Sequence, residues 1–314
     1  VAVMYISHRL GEVREICQRA TVLRNGSTIE TVALAGVDDD AIFSMMVGRS
    51  PERAFVDIST VAPDAPILLE MTGMSSGKVQ KVDLSLRAGE IVGLAALEGQ
   101  GAQDLFRAMG GMAKPTEGVL KLNGEPVAFG APKRIQQGGS GIAFVPEERK
   151  TEGIFANLTA ATNIVLPKIA EAGTVGVVTT GQERRAAAEA AEGVALAPRY
   201  LGFTVGNLSG GNQQKVLLAR ALMTGAKCLV LFDPARGVDV GTKQSIYAMM
   251  RDFTAKGGSI FFYSSELSEL VHLSSRCLVM YGGRFVADIP REKLTEEALV
   301  VAAHGHAEDL EMVG

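Results

Sequence analysis

An octet with the sequence LSGGNQQK, at residues 208–215, combines residue types that can bind an anion. Ser209 precedes a strongly helical, amphipathic run and can cap the helix that this run predicts. Gly210 and Gly211 carry no side chain, so the backbone there can approach a ligand closely. The first turn of a helix also offers unpaired N–H groups and the positive end of its dipole. The octet therefore predicts a phosphate contact, and an ordinary capped helix is the alternative.

A second glycine-rich stretch, ALEGQGAQDLF at residues 96–106, follows the apolar run EIVGLAAL and precedes a predicted helix. A phosphate-binding loop at this position requires a lysine for the phosphates and a Ser or Thr for Mg²⁺. The stretch lacks both, and Glu98 adds a negative charge. The dinucleotide-binding pattern GxGxxG also fails, because Asp104 stands where the third glycine belongs. The stretch is either a nucleotide-binding loop that has lost its chemistry or a simple turn.

The elements around these stretches alternate between strand and helix patterns. The segment from residue 67 predicts two or three short strands, and KPTEGVLKLNGEPV predicts a hairpin with a turn at Asn123-Gly124. Continuously apolar runs such as KCLVLFDP and SIFFYSSE predict buried parallel strands. The Ala-rich residues 155–200 predict inserted helices. The pattern indicates an α/β fold with a parallel core sheet.

The two ends of the chain resemble each other. Residues 5–30 align without a gap with residues 262–287, and the agreement continues to Gly48 and Gly305. Identical pairs are Ser7/Ser264, Leu10/Leu267, Glu12/Glu269, Arg19/Arg276, Val22/Val279 and Gly26/Gly283. Both copies predict a strand, a turn, a helix, a strand and a hairpin turn.

This repeat predicts the domain organisation. Residues 1–50 are expected to be the end of one domain, whose body lies upstream of this chain. Residues 67–305 are expected to be a complete second copy, and 306–314 a tail. Between the copies, residues 51–66 are rich in Pro, Asp and Ser and predict a linker.

Composition limits the classes of function. The chain has 314 residues, of which 47% are hydrophobic, so it can bury a sizeable core. A formal net charge of −4 argues against nucleic acid as the main ligand. The three cysteines lie far apart without a CxxC pair, which favours a reducing compartment over a zinc site or a disulfide framework. No apolar run approaches the roughly 18 residues of a membrane span.

The octet LSGGNQQK resembles the signature motif of ATP-binding cassette (ABC) ATPases. Together with RGVDVGTK at residues 236–243, it is similar to the fused double-cassette ATPases of ribose, galactose and xylose importers. The resemblance spans residues 1 to about 305. It implies a P-loop NTPase fold with a mostly parallel core sheet, an antiparallel β subdomain and a helical subdomain at about 150–205. It also implies ATP and Mg²⁺ as cofactors and two cassettes in one polypeptide, which accounts for the repeat.

The resemblance assigns the glycine-rich stretch to the P-loop, or Walker A motif, of the second cassette. It places Ala96, Gly99 and Gly101 at the loop glycines, Ala102 at the lysine and Gln103 at the Ser/Thr. One glycine, the lysine and the metal ligand are therefore missing, which makes this Walker A motif degenerate.

Further motif positions depart from the family pattern. Phe232 stands at the Mg²⁺-linked Asp of Walker B and Asp233 at the catalytic Glu, although a register shifted by one residue would give Asp233 the metal role. Glu147 stands at the Q-loop glutamine, and Ser265 at the switch histidine. In the first copy His8 keeps that histidine, a residue that can hydrogen-bond a γ-phosphate.

Cassettes of this family pair head to tail, so the resemblance implies two composite sites. One would combine an upstream P-loop and His8 with this cassette's signature motif. The residues expected to act there in trans are Ser209, Gly210, Gly211 and Gln213 at the γ-phosphate, and Asp239 in the D-loop. The other site would use Ala102 and Asp233 and is expected to hydrolyse ATP slowly or not at all.

The resemblance also implies partners and a location. It predicts a peripheral ATPase subunit on the cytoplasmic face of the cell membrane, docked on permease subunits and served indirectly by a periplasmic sugar-binding protein. Glu147 and the following ERKTEG stretch are candidates for the permease contact. Two alternatives stay open: a nucleotide-sensing cassette without catalysis, and a non-transport ABC protein coupled to ribosomes or DNA, for which this acidic chain shows no basic arm.

Overall fold

The computed structural model describes residues 3–7, 10–24, 26–47, 61–62, 64–127, 141–172 and 180–306. The strands are β1 (Arg19–Arg24), β2 (Ser27–Ala33), β3 (Ile67–Ser76), β4 (Val79–Arg87), β5 (Ile91–Ala96), β6 (Glu117–Leu122), β7 (Glu125–Val127), β8 (Ile142–Val145), β9 (Cys228–Phe232), β10 (Ser259–Tyr263), β11 (Arg276–Tyr281) and β12 (Arg284–Pro290). The helices are α1 (Leu10–Ile16), α2 (Asp39–Val47), α3 (Ala102–Met109), α4 (Ala160–Ala172), α5 (Thr180–Glu192), α6 (Gly210–Met223), α7 (Val240–Ala255), α8 (Leu267–Leu273) and α9 (Glu296–Ala303).

A six-stranded sheet forms the centre of the second copy, in the order β12-β11-β5-β10-β9-β8. All its neighbours pair in parallel except β11 and β12. Every residue of β9 is buried, as expected for an apolar strand covered on both faces. Because β5, β9 and β10 are parallel, their carboxyl ends at Ala96, Phe232 and Tyr263 lie at one edge of the sheet. That edge carries the candidate site.

A smaller antiparallel sheet has the order β4-β3-β6-β7. The predicted hairpin is confirmed: β6 and β7 pair through Leu122 and Glu125, and Asn123 and Gly124 between them have φ of 50° and 82°. Both turn residues lie in the left-handed region that a two-residue hairpin turn requires.

Helix α3 packs between the two sheets. Leu105, Phe106 and Met109 on this helix are fully buried in the same core as residues of β3, β9 and β10. On the opposite side of the central sheet, α6, α7, α8 and α9 complete a second core, and the predicted helical insertion adds α4 and α5 to it. None of the helices within the described ranges has the length and apolarity to cross a membrane.

The structure confirms that the two ends of the chain share one arrangement of elements. Elements α1, β1 and β2 have the same lengths and spacing as α8, β11 and β12. Adding 257 to the residue numbers of the first set gives the bounds of the second, so that Leu10 corresponds to Leu267. A β-bulge interrupts β1 between Val22 and Leu23, and another interrupts β11 at the equivalent Val279 and Met280. A shared bulge position is evidence for one structural unit, because bulges mark specific irregularities of a strand pair.

The predicted first strand of the first copy is wrong for its described residues. Val3–Ser7 are not in a strand, and Val3, Met4 and Ile6 are more than 80% exposed. The equivalent strand β10 lies between β5 and β9, whereas no described strand pairs with Val3–Ser7. Apolar β propensity forms a strand only with a neighbour to pair with. Most of the predicted linker and tail lie outside the described residues, and the domain boundaries stay predictions.

Candidate functional site

The glycine-rich loop joins β5 to α3 and depends on two glycines. Gly99 and Gly101 have φ of +79° and +108°, conformations that side chains disfavour. Neighbouring turns hold this loop: Lys78 Nζ donates to the carbonyl of Gly99 at 2.8 Å, and the Gly282 N–H donates to Gln100 Oε1 at 2.7 Å. The loop is therefore fixed by contacts within the protein.

The positions that would hold phosphate and metal have other contacts. Ala102 is 7% exposed and belongs to the core beneath the loop. The amide of Gln103 lies 3.4 Å from Glu147 Oε2, and Glu147 forms an ion pair with Arg236. The Glu147 carboxylate is thus neutralised by a guanidinium of the same chain.

Phe232, at the end of β9, belongs to an aromatic cluster. Its ring stacks on Tyr263 with 4.6 Å between centroids and meets the edge of Phe106 at 5.2 Å. The hydroxyl of Tyr263 reaches the carbonyl of Ala96 at 3.4 Å, directly before the glycine-rich loop. Apolar rings therefore fill the space beneath the loop on this side.

Asp233 follows in a strained and poorly solvated position. It has a φ of +47° and is only 6% exposed, and its Oδ2 atom is buried without a hydrogen-bond partner among the described residues. Burial raises the pKa of this carboxyl, and the nearby Glu269 adds to the effect, while a hydrogen bond with Ser265 opposes it. The arrangement favours the protonated acid more than a surface position would.

Glu269 lies four residues after the exposed Ser265 and is a buried acid that the sequence motifs did not indicate. Glu269, 2% exposed, accepts hydrogen bonds from Ser264 at 2.7 Å, Tyr247 at 2.6 Å and Lys243 at 3.0 Å. Burial, and then the charge of Glu269, raises the pKa of Tyr247, so its hydroxyl remains a donor. This network ties the segment after β10 to α7.

The first copy contains the same bond. Ser7 Oγ donates to Glu12 Oε2 at 3.1 Å, as Ser264 does to Glu269, and Tyr5 donates to the same oxygen at 2.8 Å. In the alignment of the two ends, Ser7 is identical to Ser264 and Glu12 is identical to Glu269. The identity at Glu269 was therefore visible in the sequence. His8, the predicted switch histidine, lies outside the described residues.

The octet begins α6 as predicted. Ser209 is exposed and caps the helix, with Oγ accepting from the N–H of Asn212 at 3.4 Å. Gly210 is partly exposed, whereas Gly211 is buried against α7. A Cβ atom at Gly211 would lie 2.5 Å from Thr242 Oγ1, so only glycine allows the two helices this approach.

Gln213 and Asp239 have structural contacts. The predicted phosphate contact of Gln213 needs correction: its side chain is 5% exposed, and its amide donates to the carbonyls of Val205 and Leu208, both at 3.2 Å. It points into the protein because these loop carbonyls need a donor there. Asp239 caps α7 by accepting from the N–H and hydroxyl of Thr242 at 2.9 and 2.8 Å. Burial raises its pKa, but these hydrogen bonds outweigh burial and leave it lowered.

Comparisons with known proteins agree with this arrangement. Residues 79–236 match the family described as ABC transporter. This range includes the glycine-rich loop, the octet and the end of β9. The chain belongs to the ABC transporter family.

Similar proteins extend this assignment. The chain is 35% identical over 305 residues to a ribose import ATP-binding protein (RbsA 1) of Mesorhizobium japonicum, which covers 96% of this chain and 59% of that protein. It is 36% identical over 312 residues to a ribose import ATP-binding protein (RbsA 2) of Streptomyces avermitilis, covering 98% and 60%. The chain thus spans about three-fifths of the length of these curated relatives.

Solved structures confirm the predicted P-loop NTPase fold. A dimeric ATP-binding cassette in a post-hydrolysis state with ADP and phosphate has a TM-score of 0.62 at 20% identity, covering 71% of this chain and 99% of that one. A nucleotide-free cassette of an ABC transporter has a TM-score of 0.64 at 18% identity, covering 79% and 99%. At these identities the likeness concerns the fold.

The residues at the positions assigned to the P-loop, Walker B and Q-loop motifs do not fit Mg²⁺. A hard cation requires oxygen ligands, but Phe232 offers a packed ring and Ala102 a methyl group. Glu147 is already paired with Arg236, and Asp233 is a buried acid with a raised pKa. The N-terminus of α6, in contrast, is exposed and capped by Ser209, and a helix end of this kind suits an anion.

Proposed function

We propose that this chain is the C-terminal part of the ATP-binding subunit of an ABC importer for a simple sugar. Its second cassette supplies a signature motif to a composite ATP site. The first cassette supplies His8, which lies in this chain, and the P-loop and Mg²⁺ ligands, which lie upstream of it. Ser209, Gly210 and Gly211 contact the γ-phosphate in trans, and Asp239 acts beside them in the D-loop. Gln213 holds the backbone of the loop before α6. Sugar import by the relatives, named in their descriptions, supports the substrate class.

The contrast between the two halves of the cassette carries this proposal. Ser209 is exposed at the start of a 14-residue helix, where unpaired N–H groups can receive phosphate. At the cassette's own nucleotide positions, Phe232 of Walker B is packed in an aromatic cluster and Glu147 of the Q-loop is held in an ion pair. A cassette of this kind can serve its partner's ATP without hydrolysing one at its own P-loop.

The whole protein then acts as a motor for a membrane permease. ATP with Mg²⁺ closes the two cassettes on each other, and hydrolysis at the one competent site reopens them. The subunit lies on the cytoplasmic face of the cell membrane against permease subunits, and a periplasmic binding protein delivers the sugar to the permease. Glu147 and residues 148–153 are the proposed permease contact.

The first test is Mg-ATP binding to this chain by calorimetry, with a hydrolysis assay alongside. We expect weak binding that does not depend on Mg²⁺, and no turnover. Tight Mg²⁺-dependent binding with turnover would contradict the assignments of Ala102 and Phe232. The second test uses the same chain extended by its upstream cassette. There His8→Ala and Ser209→Asp should each lower turnover by about 10²-fold or more, the cost of removing a transition-state donor.

The open alternatives predict other outcomes. A nucleotide-sensing protein would bind ATP in the extended form without turnover. A non-transport protein would be retained by ribosomes or DNA in a pull-down and not by the membrane permease. Either result would exclude the importer proposal.

A further inference from the structure

A short π-helical turn at Arg149–Gly153 follows the Q-loop position and is anchored to α6. A Cβ atom at Gly153 would lie 2.9 Å from Leu217 Cδ2, so the turn packs tightly on the helix. Arg220, in the same helix, donates to the carbonyl of Gly153. Single π-helical turns are rare and occur frequently at functional sites. This turn determines where Arg149 lies.

The guanidinium of Arg149 lies against the start of α6. A Cβ atom at Gly210 would be 2.8 Å from Nη2 of Arg149, and Nη1 donates to the carbonyl of Arg236 at 3.2 Å. The Nε atom is buried and has no hydrogen-bond partner among the described residues. Arg149 is thus held beside the signature glycines with donor capacity to spare.

Two carboxylates close to Arg149 in the sequence form ion pairs with other arginines. Glu147 pairs with Arg236, and Glu152 pairs with Arg107. No carboxylate in the described part of the chain forms an ion pair with Arg149. A partly buried cation without a counter-ion is costly, and a ligand anion removes this cost. The helix end beside it attracts the same kind of ligand.

We propose that Arg149 is a further nucleotide-contacting residue, which binds the terminal phosphate of the ATP held by Ser209 and Gly211. The inference rests on the proposed function, because this phosphate belongs to the composite site. The planar guanidinium suits a phosphate through two parallel hydrogen bonds. Glu148 and Lys150, on either side, are exposed and remain available to a permease, so one turn serves both the nucleotide and the permease.

The test measures binding of inorganic tripolyphosphate to this chain by calorimetry at low ionic strength, without Mg²⁺. Arg149→Gln should weaken binding by about 10-fold or more, the effect of losing a charge-assisted hydrogen bond. Arg149→Lys should lose less, because lysine keeps the charge but not the fork. Arg251→Gln, which removes an equal charge from an exposed ion pair with Asp252 on α7, is the matched control and should bind as the wild type does.

A second control locates the probe. Lys78→Gln alters the glycine-rich loop and should leave binding unchanged. The inference is overturned if the wild type does not bind tripolyphosphate, if Arg149→Gln binds it equally well, or if only Lys78→Gln weakens it. Urea unfolding of each variant shows whether it is folded. If Arg149→Gln is unfolded, the affinity of Arg149→Lys for tripolyphosphate is compared with that of the wild type instead. Failure of the proposed function would appear separately, as absence of turnover in the two-cassette protein.

Discussion

Replacing Asp233 by Asn should stabilise this chain at neutral and alkaline pH. The carboxyl is 6% exposed with an orphaned Oδ2 atom, so its ionised form is poorly solvated. Asn keeps the shape and an acceptor for Ser265 without the charge. It also tolerates the backbone, because Asn adopts the left-handed region at φ of +47° more readily than most residues.

The sign of the pH dependence follows from the raised pKa of Asp233. Between the ordinary value of 3.8 and the raised value, the folded state binds more protons than the unfolded state. Wild-type stability therefore falls as the pH rises through this window. The amide of the variant does not ionise and has no such loss. The advantage of Asp233→Asn is therefore absent below pH 3.8, grows through the window and is complete above it.

The expected gain at pH 8 is about 1–2 kcal/mol, from removing a poorly solvated charge, and it stays modest because the amide also lacks a partner at the position of Oδ2. Urea unfolding of the wild type and the variant at several values between pH 4 and pH 8 measures it. Asp252→Asn is the control, because Asp252 is exposed beside Arg251 and should show no gain that grows with pH. A variant less stable than the wild type at pH 8, or a difference constant with pH, would refute the assignment of a strained, desolvated acid.

Three other substitutions test contacts described above, each by urea unfolding. Gly211→Ala should lower the free energy of unfolding by about 1–3 kcal/mol through overpacking against Thr242. In the control Gly36→Ala, no atom lies within 4 Å of the added Cβ, and the loss should be less than half as large. Equal losses would disprove the close approach at Gly211. Glu269→Leu should cost about 2–5 kcal/mol, because it leaves the hydroxyls of Tyr247 and Ser264 buried without their acceptor and removes one of the two carboxylates paired with Lys243. Tyr247→Phe should cost about 1 kcal/mol. A neutral Glu269→Leu would show that the network does not stabilise the fold. Phe232→Asp introduces the carboxylate that the alignment predicts at this position. It should cost about 3 kcal/mol or more through loss of the aromatic packing. Unchanged stability with Mg²⁺-dependent ATP binding would show that the site can hold a metal.

Local patterns were sufficient to predict most of the fold. The apolar runs that became β5, β9 and β10 have no alternation, and the structure buries them on both faces of a parallel sheet. The Asn123-Gly124 turn follows from the φ that those two residues tolerate. The segment Val3–Ser7 shows where the reasoning fails, since its strand propensity lacks a pairing partner among the described residues.

The candidate site was less predictable, because side-chain direction depends on tertiary packing. Motif spacing placed Gln213 beside the signature glycines, but its position on α6 turns the side chain towards the carbonyls of Val205 and Leu208. Arg149 is separated from Gly210 by some sixty residues, so no local pattern brings them together. The roles of His8, Ser209 and Asp239 at a nucleotide stay predictions, since they depend on a second cassette.

The two Ser–Glu pairs are a structural contact that both copies of the repeat share. Ser7–Glu12 and Ser264–Glu269 form the same bond in both copies, although the next residue is a histidine in one and a serine in the other. Glu269 also accepts from Lys243 and Tyr247 of α7. The N-cap of α7, Asp239, lies beside Gly211 at the start of α6. The segment after β10 is therefore held to the helix that packs on the signature motif. This connection requires no histidine, so it can hold the start of α6 in position in a copy that has serine there.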